Sequence, residues 1–134
     1  TLSANPLSCV AGYYALIEME KTNAAAIAGK AGDRLTKGLQ AIIEKYSLPF
    51  VAYNQGSIVH LETAGTILLD FKNPLRLAKG LKPRKHMMEE MGAAYMANGL
   101  VTLAGSRMYT SMADTDQVID DALNRFETVL KECE

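Results

Sequence analysis

The chain has 134 residues, 49% apolar and 22% charged, which are the proportions of one ordinary folded domain and exclude disordered, collagen-like and disulfide-scaffold classes. Its 14 Lys and Arg against 15 Asp and Glu leave a formal charge of −1, so no global field draws it to nucleic acid or to an anionic membrane. Neither is expected as a partner.

Near the start, Ser3 or Asn5 can cap a helix whose first position is Pro6, where the missing N–H costs nothing. Leu7, Val10, Ala11, Tyr14 and Ile17 then fall on one helical face, up to the charged stretch Glu18–Lys21. After a break at Thr22 and Asn23, a second helix turns Ile27, Ala31, Leu35, Leu39, Ile42, Ile43 and Tyr46 inward and ends at Ser47-Leu48-Pro49. Gly29, Gly32 and Gly38 each cost about 1 kcal/mol relative to Ala inside a helix, which predicts tight packing against a neighbour.

The period then changes. Residues 50–53 and 57–61 are β-prone runs separated by Asn54-Gln55-Gly56, the pattern of a hairpin, and residues 66–71 form a third strand candidate. From Lys72 to Lys85 the chain is basic, with Pro74, Gly80 and Pro83 placed to interrupt a long helix, so a connector or mobile loop is expected. Met87, Met91 and Tyr95 give a third helix an apolar stripe, and Asn98-Gly99 stops it. Residues 100–103 and 108–112 are two more predicted strands. The last helix starts at an Asp114 or Thr115 cap and buries Ile119, Ala122, Leu123, Phe126, Val129 and Leu130. The order ααβββαββα predicts an α+β fold, with helices on one face of a small, mostly antiparallel sheet.

Chemistry is sparse. His60 and His86 lack a second His, Cys or carboxylate at ligand spacing and are expected to be structural or surface residues, and no metal site is predicted. Phosphate-loop, G-x-S-x-G and HExxH signatures are absent, so no catalytic residue is assigned. Cys9 and Cys133 stand near opposite ends without Cys-x-x-Cys spacing, as isolated thiols of a reducing, cytoplasmic compartment would. Neither a run of about eighteen apolar residues nor a basic-then-apolar leader is seen, so no membrane span is expected. The acids of residues 114–134 are expected on a solvated helix face. Arg107, in a Gly-containing turn between two predicted strands, offers a fork of donors to a carboxylate.

The opening Thr1-Leu2-Ser3-Ala4-Asn5-Pro6-Leu7 resembles the T-[LF]-S-[AG]-N-P-L segment of class III aminotransferases, the fold-type I enzymes that depend on pyridoxal phosphate. The resemblance continues through Ala31-Gly32-Asp33-Arg34-Leu35, Leu48-Pro49-Phe50, Gly56-Ser57-Ile58, Asn98-Gly99-Leu100-Val101 and Ala113-Asp114-Thr115-Asp116 with Ile119-Asp120. It is strongest toward the glutamate-1-semialdehyde 2,1-aminomutase family. Those aminomutases carry Pro-Ser-x-Phe-Glu before the final strand, where this chain has Ala104-Gly105-Ser106-Arg107-Met108 with no acid.

The resemblance implies that residues 1–134 form one domain, the small C-terminal α+β part of a larger enzyme whose cofactor domain and Schiff-base lysine lie elsewhere. The parent would be a cytoplasmic homodimer with its pyridoxal phosphate site at the subunit interface, moving an amino group to or from a small amino acid or amine. In the family, the counterpart of Thr1 holds the cofactor phosphate. Arg107 is the candidate contact for a substrate carboxylate. The fragment alone is expected to bind no cofactor and to be inactive. The alternative from another class is a free-standing binding or assembly module that uses the basic Lys72–Lys85 segment.

Overall fold

The computed structural model describes residues 5–63 and 74–133, over 74–85 by backbone alone. Helix α1 (Pro6–Lys21) is capped by Asn5, whose side-chain oxygen accepts from the N–H groups of Leu7 and Ser8. Helix α2 (Ala24–Lys45) follows after Asn23, which turns in the left-handed region at φ 53°. Strands β1 (Val51–Gln55) and β2 (Ile58–Glu62) form an antiparallel hairpin around Gly56-Ser57. Gly56, at φ +57°, supplies the positive φ that such two-residue turns demand. Helix α3 (Pro74–Ala97), strand β3 (Arg107–Tyr109), helix α4 (Asp116–Leu130) and a 3-10 turn at Lys131–Cys133 follow among the described residues.

The sheet order is β1-β2-β3, antiparallel throughout. Because side chains alternate along a strand, Ala52, Val59, Leu61 and Met108 point to one face and are buried there. Helices α2 and α4 pack together and bring Leu35, Leu39, Phe126 and Leu130 into the same core as that face. Tyr95 of α3 joins it, fully buried, with its ring edge-on to Phe126 at 5.1 Å between centroids. The fold is α+β, as the sequence predicts.

The α2 glycines meet neighbours closely. A Cβ on Gly32 would collide with the carbonyl oxygen of Gly56, and one on Gly38 with the side chain of Leu123. Small residues here let α2 settle onto the hairpin turn and onto α4. Asn98-Gly99 ends α3 as expected: Gly99, at φ +76°, donates to Met96, and Leu100 donates to the carbonyl of Tyr95. This is the Schellman arrangement that closes the last helical turn.

Four expectations are corrected. The basic connector is a helix over 74–85, because Pro74 opens α3 where no N–H is needed and Pro83 withdraws only one backbone donor from a ladder that continues on both sides. Residues 100–103 are not a strand: Leu100 turns into the core, and only Leu103 bridges Arg107. The strand predicted over 108–112 ends at Tyr109, which pairs with the first residue of β2, Ile58; Thr110 donates its N–H to Ser57 of the hairpin turn and its hydroxyl to the carbonyl of Ala28 at 2.7 Å. Ile27 of α2, expected to turn inward, is exposed, as is the apolar face of α1, with Leu7 at 78%. The third strand candidate, residues 66–71, lies outside the described residues.

Candidate functional site

The face of the sheet turned away from α2 carries a polar row. Register pairs Tyr53 with His60 and His60 with Arg107, so three neighbouring strands place these side chains side by side. Glu62 lies two residues beyond His60 and therefore on the same face. The rings of Tyr53 and His60 stack in parallel, 4.9 Å between centroids with a 1° interplanar angle.

Glu62 ties the row to the turn before β3. Its Oε1 accepts from the hydroxyl of Ser106 at 3.1 Å and lies 3.7 Å from Nδ1 of His60. Ser106 is also held by its backbone, which accepts from the N–H of Leu61 at 2.9 Å. The turn is tight, with Ala104 at φ 52° and Gly105 at φ 70°. A Cβ on Gly105 would strike the carbonyl oxygen of Met88, so the close pass of α3 fixes this turn and requires glycine there.

Between the row, the turn and Met88 lies a cleft of about 320 Å³. Its polar lining is Tyr53, His60, Glu62, Ser106 and Arg107, and Met88 and Leu103 supply apolar walls. Among the described residues Arg107 has no ion pair, whereas Glu62 is engaged by Ser106 and His60. The site therefore offers a guanidinium with its donors uncommitted to protein acids, beside a flat aromatic stack.

Arg107 is thus the first residue of β3 rather than part of a turn between two strands, and the turn is Ala104-Gly105. Nor does it pair with the last helix: Asp116, Asp120 and Asp121 of α4 are exposed as expected, Asp121 pairs with Arg125 of its own helix, and the others, with Glu127, pair with α2. Arg34 donates to both carboxylate oxygens of Asp120, and Glu127 accepts from Lys45 at 2.6 Å and from the hydroxyl of Tyr46 at 3.0 Å. Thr1 lies outside the described residues, as does Lys72. His86 is on the surface, paired with Glu90 at 3.0 Å. Sequence reasoning set His60 aside as structural or surface, and passed over Tyr53, Glu62 and Ser106. The i, i+2 spacing of His60 and Glu62 in a strand was the available signal, while the approach of Ser106 depends on a tertiary turn.

Cys133 is half-buried, 3.9 Å from the sulfur of Met91, and burial pushes its thiol above the ordinary range, away from the reactive thiolate. Burial likewise pushes the Tyr95 phenol upward. Cys9 is free and exposed. Among the described residues no group of three or more His, Cys, Asp or Glu could hold a metal ion, and no helix is long and apolar enough to cross a membrane.

No family model matches the chain. Among curated proteins, the glutamate-1-semialdehyde 2,1-aminomutase of Persephonella marina is 28% identical over 98% of this chain and 30% of its own length. Glutamate-1-semialdehyde 2,1-aminomutase 2 of Halalkalibacterium halodurans is 39% identical over 59 residues, 44% of this chain and 14% of that protein. Among solved structures, an omega-transaminase from Sphaerobacter thermophilus superposes with a TM-score of 0.70 at 18% identity, over 96% of this chain and 28% of that one. The likeness to the transaminase shows the fold. The chain spans less than a third of the length of each of these proteins. The comparisons bear out the resemblance drawn from the sequence motifs, that of a C-terminal domain of the class III aminotransferases.

Proposed function

We propose that residues 1–134 are the small C-terminal domain of a pyridoxal-phosphate-dependent class III aminotransferase or aminomutase, and that the parent enzyme moves an amino group to or from a small amino acid or amine. One observation carries this reading: nearly the whole chain aligns with under a third of an aminomutase in sequence and under a third of a transaminase in fold. The exposed apolar side of α1 supports it, since Leu7, Val10, Tyr14 and Ile17 form a surface that a monomeric soluble domain seldom leaves open. The remainder of the parent would cover it.

The described residues do not form a holder for the cofactor by themselves. Among the described residues no lysine lines the cleft, and the described lysine side chains lie on the outer surfaces of the helices and the terminal turn. In this reading the cofactor chemistry belongs to the parent's other domain, Thr1 adds a donor to the cofactor phosphate, the parent is a homodimer, and Arg107 contacts a substrate carboxylate. Sequencing the gene upstream of Thr1 tests the reading: an open frame of a few hundred codons with a lysine in a strand-turn context supports it, and a start codon at once before Thr1 removes it.

A further inference from the structure

The cleft on the open sheet face restricts its occupant more narrowly than a single arginine does. We propose that it binds a small monocarboxylate with a flat apolar body, a proposal that rests on the assignment of Arg107 as a carboxylate contact and adds the rest of the ligand. The guanidinium of Arg107 shares the cleft with Glu62 but forms no ion pair with it or with any other described acid, and its planar fork matches a carboxylate. His60, its cross-strand neighbour, supplies a second polar contact. The parallel Tyr53 and His60 rings give one flat wall, with Met88 and Leu103 as further apolar lining.

Glu62 sets the charge of the ligand. Its carboxylate lines the same cleft and repels a second anionic end, so a dicarboxylate is disfavoured. Glu62 also acts as a positioning residue: by accepting from Ser106 and standing beside His60 it holds the turn that presents Arg107. The volume of about 320 Å³ is at the small end of ordinary ligand sites.

The test follows the backbone amides of Tyr53, His60 and Arg107 in the ¹⁵N-labelled chain during titration with phenylacetate and, separately, with succinate. Saturable shifts with phenylacetate, weaker ones with succinate, and an affinity at least about tenfold lower in R107Q are expected, as for loss of a hydrogen bond to a charged group. In E62Q succinate should gain on phenylacetate, because the repelling charge is gone. Arg107 is exposed, so R107Q is expected to keep its fold, which thermal melting checks; R107K, which keeps the charge without the fork, should bind at an intermediate level. Succinate binding the unaltered chain as tightly as phenylacetate overturns the inference while leaving Arg107 as a carboxylate contact. Absence of saturable shifts with either probe, or unchanged binding in R107Q, overturns both and leaves the domain reading to its own test.

Discussion

Arg34 and Asp120, 86 positions apart, form a two-pronged pair in which Nη2 of the arginine donates to Oδ1 at 2.7 Å and to Oδ2 at 2.9 Å. Together with Lys45–Glu127 this pair runs along the seam of α2 and α4, on the solvent side of the core that Leu39, Phe126 and Leu130 fill. The seam gives stability a defined pH dependence. Glu127 is held below its ordinary value of 4.5, first by the hydrogen bond from Lys45 and then by that from Tyr46. A carboxylate with a lowered folded-state value contributes stability that is present above its unfolded value and is lost as pH falls through the folded one. Stability is therefore expected to decline as pH falls from about 4.5 downward, and Glu127→Gln should flatten part of that decline. Urea midpoints across the acid range, with and without the substitution, check this; parallel curves would mean that the pair contributes nothing.

Gly32→Ala is expected to destabilise the chain by about 1–3 kcal/mol, the usual cost of forcing a methyl into a filled contact. The added Cβ meets the carbonyl oxygen of Gly56, whose own positive φ leaves the turn little freedom to retreat. Gly12→Ala is the control, because nothing lies within 4 Å of that position and the helix gains about 1 kcal/mol of propensity. Chemical denaturation of both variants should move their midpoints in opposite directions.

These contrasts show what the sequence made legible. The α4 boundaries follow from the Thr115 cap and the spacing of Ile119, Phe126 and Leu130, and the stop at Asn98-Gly99 follows from the left-handed conformation that glycine accepts. Pro83 misled because a proline's local cost, about 3 kcal/mol in a helix interior, was weighed without the rest of the ladder. The stripe on α1 is legible as an apolar face, but periodicity does not report what covers it, and in this chain it is exposed. Arg107 stands out in the sequence by its place in a Gly-containing turn, but its neighbours Tyr53, His60 and Glu62 come together only through strand register, which one sequence leaves open.

Arg107→Ala in the parent enzyme is expected to lower kcat/KM for carboxylate-bearing amino donors at least about tenfold, equivalent to roughly 1.4 kcal/mol, and to spare simple amines. The motive is the cleft geometry, where this guanidinium forms no ion pair with a described acid while Glu62 of the same cleft is engaged by Ser106 and His60. Steady-state kinetics with both donor classes decide. An equal loss for both, or none, makes Arg107 structural.

Thr1→Ala in the parent is expected to weaken cofactor binding by about 1.5–3 kcal/mol, the worth of a hydrogen bond to a charged group. The turnover of the loaded enzyme should change less. Titration of the apo-enzyme with pyridoxal phosphate measures this directly, and an unchanged dissociation constant would remove Thr1 from the phosphate site.

The domain assignment itself is tested most directly by titrating pyridoxal phosphate into two samples, the 134-residue chain and the full product of its gene, with borohydride trapping and mapping of the modified lysine. The account predicts a visible absorption band and one trapped lysine, outside residues 1–134, in the full product, and neither in the isolated chain. A dialysis-stable band in the isolated chain, trapped on one specific lysine of its own, would contradict it.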